Sequence, residues 1–345
     1  MMKAVIADGK GNVALREVQR PEPGPYQCLC KIQACATCSG TDQKIVDGKL
    51  FAGMRYPGVL GHESFGVVVE RGGEVRNIAV GDSFLRPTAV YGGETLGPWL
   101  SLWGGFAEYG LVTDVKALLE DDKGAAVPSY CQYQQPIPSG LPLTPAQGTM
   151  LVTLKEIAGY IRNVDVAPNS SVVILGSGSV AMAMCFFAKL RGAFPVIVVG
   201  RRDEAMASCV SVGADVFVNN AKEDMGARVK AATGGKGADY VLDAAGDTKM
   251  LAASAALLAE KGKMATYATR GSGSLELNNF PGPSGWKFEF AAPDEVGSHQ
   301  YLLDLVRMQA VNLDNFYSHR IPFAEFEAGF ELLRSKRAFK IVFEM

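Results

Sequence analysis

A run of glycine between an apolar strand and an apolar helix constrains this chain more than any other feature. The strand pattern Ser171–Leu175 runs into Gly176-Ser177-Gly178, and a helical pattern follows over Val180–Arg191. The alternation continues with strand Pro195–Val199, helix Asp203–Val212, strand Asp215–Val218 and helix Asp224–Ala232. Strand Ala238–Asp243, helix Thr248–Ala259 and strand Gly262–Tyr267 extend it, and a helix-like Leu151–Arg162 leads in. Strands that alternate with helices in this way are expected to form βαβ crossovers on a parallel sheet.

The first part of the chain has another texture. Short strand patterns at Lys3–Ala7, Cys28–Ala34 and Glu63–Glu70 are separated by turns at Pro21–Pro25 and Gly72–Gly73, which predicts a mostly β domain. The tail, Arg320–Met345, holds an amphipathic helix and a final strand, Ala338–Phe343, expected to fold back onto that domain. At 345 residues, two domains are expected. The boundaries read as 1–153 with 290–345, around 154–289.

Several classes are excluded by composition. The net charge is −2 with both signs interspersed, which argues against nucleic acid or an anionic membrane surface as partner. The longest apolar stretch, Val172–Ala188, is interrupted at Gly176–Ser179 and followed by Lys189 and Arg191, so strand, turn and helix explain it better than a membrane span. The N-terminal residues lack a signal peptide's apolar core. Seven scattered cysteines fit reduced thiols in a cytoplasmic setting.

In the pattern Gly176-Ser177-Gly178-Ser179-Val180-Ala181, the first glycine permits a tight turn and the second lets a pyrophosphate approach the backbone. Ala181 allows close helix–strand packing, and the helix N-terminus beginning at Ser179 and Val180 favours negative charge. This predicts a dinucleotide site. About twenty residues on, the second strand ends in Gly200-Arg201-Arg202 rather than an acidic residue. Gly200 would leave room for a 2′-phosphate and the guanidinium groups would bind it, which favours NADP over NAD. Asp203 comes slightly late and reads as a helix cap.

The second constellation is Gly61-His62-Glu63-Ser64-Phe65-Gly66, downstream of Cys38 in Ala34-Cys35-Ala36-Thr37-Cys38-Ser39-Gly40-Thr41-Asp42. Thiolate, imidazole and carboxylate together suit zinc, and three protein ligands plus an open position is the catalytic arrangement.

These segments resemble the zinc-type medium-chain dehydrogenase family. The GHExxG run with Gly72 and Val75 is similar to its alcohol dehydrogenase signature, and Cys38–Asp42 resembles the segment that supplies the first ligand. Gly81-Asp82, Gly104-Gly105-Phe106-Ala107-Glu108-Tyr109, His319-Arg320-Ile321-Pro322-Phe323 and Gly329–Leu333 match in the same order across nearly the whole chain. The resemblance implies an α/β protein: a GroES-like, mostly β catalytic domain built from both chain ends around an inserted Rossmann doubly wound parallel-sheet domain. It implies a homodimer or homotetramer, and names Cys38, His62 and Glu63 as the zinc residues, with Glu63 a ligand or a partner of the ligands.

Three departures matter. The family's C-x-[ST]-D is one residue longer here, so counting back from Asp42 places Ser39 at the ligand position; a bulged loop presenting Cys38 is the favoured reading. Many relatives carry a further ligand where this chain has Val152, and Glu156, one helical turn away, reads as a solvated glutamate. A four-cysteine structural zinc lobe is absent, since Arg86–Trp103 holds no cysteine, and Cys35 and Cys131 read as small buried hydrophobes.

The expected activity is hydride transfer between NADP(H) and a secondary alcohol or its carbonyl. The Gly40–Gly48 run is closer to the sugar and polyol branch, which suggests a polyol, sugar or hydroxylated alcohol. Zinc would lower the hydroxyl pKa. Thr41 or Ser39 would take the proton, with Lys44 either near the outlet or an exposed strand lysine. Phe51, Trp99, Trp103 and Phe106 are candidates for shaping the pocket. Two rival readings are a zinc-free NADPH quinone or alkene reductase and a catalytically silent NADP-binding sensor. The segment Asp114–Gln135 is unusually long between strands and is a candidate for shaping a cleft or a subunit contact.

Overall fold

The computed structural model describes residues 1–268, 275–277 and 282–345. They form two compact units: Met1–Val152 with Tyr301–Met345, and Thr153–Gln300.

The first unit opens with β1 (Met2–Ala7), β2 (Val13–Val18) and β3 (Gln27–Ala36), then α1 (Ser39–Val46), β4 (Gly58–Leu60) and β5 (Glu63–Arg71). It continues through β6 (Ser83–Leu85), β7 (Thr95–Leu96), β8 (Trp99–Leu102), β9 (Tyr109–Thr113), α2 (Val115–Asp121) and β10 (Pro136–Ile137). Two sheets result. One has the order β2-β1-β4-β8-β7, and the other is built around β3, which pairs antiparallel with both β5 and β9. The long segment after β9 resolves into α2 and a turn that seats Gln134. There Gln134 donates to the Arg86 and Leu111 carbonyls and accepts from the buried Tyr91 hydroxyl. Its amide thus satisfies polar groups that burial would otherwise leave unpaired.

Next comes α3 (Pro145–Val164), six residues earlier in its start than the apolar periodicity suggests. Its N-terminus is a capping box. The Gln147 N–H donates to Thr144 Oγ1 at 3.2 Å, the Thr144 N–H donates to Gln147 Oε1 at 3.1 Å, and Pro145 needs no donor partner in the first turn.

The second unit runs β11 (Val172–Leu175), α4 (Ser179–Leu190), β12 (Val196–Gly200), α5 (Met206–Ser211) and β13 (Val216–Asn219). After these come α6 (Met225–Ala232), β14 (Ala238–Asp243), α7 (Thr248–Ser254), β15 (Leu258–Thr266) and β16 (Lys287–Glu289). Its sheet is parallel throughout in the order β13-β12-β11-β14-β15-β16. Every residue of β11 is buried, as expected of a strand covered on both faces. Eight of the twelve residues of α4 are buried as well, which accounts for the long apolar run. Among the described residues no helix is long and apolar enough to cross a membrane. The helix expected to reach Ala259 stops at Ser254, because Leu257 and Leu258 turn inward and β15 begins before Gly262 rather than at it.

The chain then returns through α8 (His299–Arg307), β17 (His319–Pro322), α9 (Phe326–Arg334) and β18 (Ile341–Glu344). In the first unit β18 adds antiparallel to the end of β3, with Ala36 opposite Val342 and Cys35 opposite Phe343. The same β3 residues face β5 on their other edge, with Ala36 opposite Glu63 and Cys35 opposite Ser64. Three distant segments therefore meet at one strand end. Behind them Phe106, Phe326 and Phe343 pack ring to ring, with centroids 4.5–5.8 Å apart.

Candidate active site

Where β3 ends, the chain turns at Thr37 and Cys38 into α1. Cys38 is the N-cap residue, in extended conformation, and the extra residue relative to C-x-[ST]-D is taken up by starting the helix at Ser39. Asp42 closes the turn: its Oδ2 accepts the Cys38 N–H at 2.8 Å, and its own N–H donates to the Cys38 carbonyl at 2.8 Å. This fixes Cys38 rather than Ser39 beside the start of β5. Ser39 is exposed, Thr41 is half-buried in the first turn, and Lys44 is exposed on the helix, not on a strand.

Gly61 precedes His62 at φ +105°, and a Cβ there would lie 2.5 Å from the Phe106 ring and 2.6 Å from its backbone nitrogen. Only glycine fits, so the peptide can turn between β4 and β5 and leave His62 and Glu63 facing Cys38. Ligand atoms of Cys38, His62 and Glu63 lie within 4.8 Å of one another. Tetrahedral zinc with ligands at about 2.0–2.3 Å holds its donors roughly 3.5 Å apart, so a modest inward movement completes the set. The donors are thiol, imidazole and carboxylate, which suit that ion. Among the described residues no fourth His, Cys, Asp or Glu joins this group. Val152 is an inaccessible apolar residue. Glu156 is half-buried and accepts a 2.7 Å hydrogen bond from the Tyr267 hydroxyl.

Two residues bearing on this group are absent from the candidates drawn from sequence. Asp42 Oδ1 comes within 3.4 Å of His62 Nδ1, and both groups are buried. Burial alone would push the imidazolium pKa down. The Asp42 carboxylate and the Cys38 sulfur outweigh that and hold it up, at about 10. Lys340, just before β18, forms an ion pair with Glu63 Oε2, and both residues are almost fully buried. Asp42 could have been found from the spacing of the Cys38–Asp42 segment. Lys340 carries no local signal; only the strand pairing brings it there. Cys35 and Cys131 are buried as expected, and burial pushes both thiols up.

In the second unit the glycine turn lies at the C-terminal end of β11, where the strand order reverses between β12 and β14. Ligands of open α/β sheets bind at such switch points. Gly176 has φ +117°, and a Cβ on it would touch the Ala244–Ala245 backbone at 3.4 Å. Gly178 caps α4, and the space above it is open. Ser179 and Val180 form the first helical turn, and Ala181 is buried against the sheet. At Gly200 a Cβ would meet Ser177 Oγ and the Phe217 ring at 2.8 Å each, so any larger residue there would crowd the Ser177 loop. Arg201 and Arg202 are exposed, and Arg201 reaches Asp247 at 3.3 Å. Asp203 is no simple cap: it accepts from Asn219 Nδ2 at 2.6 Å and pairs with Lys222 at 2.5 Å. These partners hold its carboxyl below the usual range.

Two family models match the chain. The alcohol dehydrogenase GroES-like domain covers residues 24–120, and the zinc-binding dehydrogenase model covers residues 179–284. Among curated relatives, L-threonine 3-dehydrogenase of Pyrococcus horikoshii is 28% identical over 95% of this chain and 94% of its own length. An NADP-dependent isopropanol dehydrogenase of Clostridium beijerinckii is 28% identical over 80% of this chain and 78% of its own. Among solved structures, a Sinorhizobium meliloti protein bound to NADP superposes with a TM-score of 0.76 at 26% identity, covering 100% of this chain and 99% of that one. The 2R,3R-butanediol dehydrogenase of Bacillus subtilis shares the fold, with a TM-score of 0.79 at 19% identity over 100% of both chains.

Proposed function

Since the chain belongs to the zinc-type medium-chain dehydrogenase family, with a GroES-like unit and a Rossmann-type parallel sheet, we propose that it transfers a hydride between NADP(H) and a secondary alcohol or the matching carbonyl. The observation that carries this reading is the convergence of Cys38, His62 and Glu63 within 4.8 Å, from the turn after β3 and from the start of the neighbouring β5. Two relatives are named for L-threonine and isopropanol, and both compounds carry a secondary hydroxyl. Within that class a polyol, sugar or hydroxylated alcohol is our reading of the α1 segment.

Cys38, His62 and Glu63 would hold one zinc per chain, without a structural zinc. Bound zinc supplies a Lewis acid that eases ionisation of the substrate hydroxyl, and bound NADP supplies the hydride acceptor. The chain's own groups do the remaining work. Asp42 places its carboxylate 3.4 Å from His62 Nδ1, which leaves Nε2 as the nitrogen to face the donor set once the ring gives up its proton. Lys340 balances the Glu63 charge where water is excluded. The Thr41 hydroxyl, in the first turn of α1, would accept the substrate proton while releasing its own toward solvent on the side where Lys44 is exposed. Gly176, Gly178, Ser179 and Val180 cradle the pyrophosphate, and Arg201 and Arg202 bind the 2′-phosphate. The exposed Arg201 and Arg202 at the end of β12, where an acidic residue would favour NAD, support NADP over NAD. A homodimer or homotetramer in the cytoplasm is the setting we propose.

The test has two parts. Elemental analysis of the purified protein is expected to find close to one zinc per chain, with turnover of secondary alcohols by NADP well above that by NAD. No zinc after zinc-supplemented preparation would overturn the metal reading and turn attention to quinone reduction. Replacing Arg201 and Arg202 by alanine should weaken NADP binding at least about tenfold, given roughly 1.5–3 kcal/mol per hydrogen bond to a charged group, and leave NAD binding unchanged.

A further inference from the structure

Four aromatic residues were candidates for shaping the pocket, and the structure separates them. Phe51 is 56% exposed, Phe106 is buried in the aromatic core, and Trp99 packs against the Val59–Val90 cluster. Trp103 alone among them stands against a candidate metal ligand. Its ring meets that of His62 edge-on, with centroids 5.0 Å apart and planes at 62°.

The backbone makes this contact notable. Trp103 has φ +71°, in the left-handed region that a bulky residue with a Cβ disfavours. Its carbonyl is held by the Thr88 hydroxyl at 2.6 Å. The residues after it are tied to the strand end that carries His62: Gly104 donates to the Val59 carbonyl, Gly105 to Gly61 and Phe106 to Leu60, at 2.6–3.0 Å. Glycine follows at both 104 and 105, and glycine at 103 would relieve the strain. The fold holds a tryptophan in that conformation, and its indole lies on the imidazole.

His62 needs such a contact. Asp42 approaches Nδ1 at 3.4 Å but in a geometry that makes no hydrogen bond, so it biases the ring chemically without fixing its plane. We propose that Trp103 is a positioning residue: its indole sets the plane of the His62 ring so that the far nitrogen stays aimed at Cys38 and Glu63. This rests on the reading of those three residues as the metal site.

The test uses the metal-stripped protein and Co(II) alone, with the thiolate–cobalt absorption and the ligand-field spectrum as readouts. Trp103→Gly, which relieves the backbone, should bind cobalt at least about tenfold more weakly and with an altered spectrum, as loss of a residue that orients a metal-bound histidine does. Trp103→Phe keeps an aromatic ring on His62 and should restore both affinity and spectrum. Trp103→Leu serves as the second non-aromatic variant, and melting curves of all three register folding. A merely structural Trp103 would lower the melting temperatures and leave the cobalt spectrum unmoved, which would overturn the role. Absence of a thiolate–cobalt band in the unmodified chain would instead remove the metal-site reading, and this role with it.

Discussion

Cys38 sits one position further from Asp42 than the family pattern asks, and the helix start at Ser39 absorbs the difference. Replacing Cys38 by alanine should therefore reduce zinc content to background, whereas Ser39→Ala should leave it near one per chain; elemental analysis of the two proteins decides which residue holds the ion. Cys38, His62 and Glu63 were legible in the sequence because their donor chemistry is unusual together. Lys340 and the contact of Trp103 depend on strand pairing and ring packing, which residue type does not announce, whereas Asp42 is within reach of the Cys38–Asp42 spacing. Asp114 gives a pH prediction. Burial pushes its carboxyl pKa up, but the N–H groups of Asn77, Ala117 and Arg76 and the Asn77 amide outweigh that and hold it low. The folded protein then binds this proton less readily than the unfolded chain. The stability it contributes is complete above the unfolded pKa of about 3.9 and is lost as pH falls through the lower folded value. Asp114→Asn should lower the denaturation midpoint at pH 7, and the gap from the unmodified protein should narrow below about pH 4 in urea titrations across pH.

At the scale of elements, glycine positions decide where turns can go, and sequence reveals the position more readily than the reason. Gly176 has the left-handed φ that the tight turn between β11 and α4 requires. Gly200 lies where a Cβ would crowd Ser177 and Phe217, a close approach that only the third dimension shows. Gly61 is the most demanding of the site's glycines. An alanine there would push its methyl into Phe106 while holding a disfavoured φ, so Gly61→Ala should cost about 2–4 kcal/mol in denaturant unfolding and lower zinc content as well. The parallel sheet was legible from the alternation of patterns, because continuous apolar strands need cover on both faces. The early start of α3 was written in Thr144–Gln147 as a capping box, a signal that apolar periodicity overlooks.

The whole molecule joins its first unit from two separated stretches of chain, and Phe343 shows how tightly. Its ring lies 4.5 Å from Phe326 and 5.8 Å from Phe106, so one side chain ties the last strand to α9 and to the segment behind Gly61. Phe343→Ala should cost about 3–5 kcal/mol by the cavity it leaves. Hydrogen exchange should register the loss in β3, β5 and β18, while the amides of β11 to β14 keep their protection. The ion pair between Lys340 and Glu63 has a consequence in time as well as in space. On the ribosome, β5 emerges early and waits, and the parallel sheet of the second unit can assemble while the first stays open on one edge of β3. Only when β18 arrives is the Glu63 carboxylate matched by its lysine. A nascent chain stalled before Lys340 is therefore expected to bind NADP before it can retain zinc, which cofactor binding and zinc analysis of the stalled chain would check.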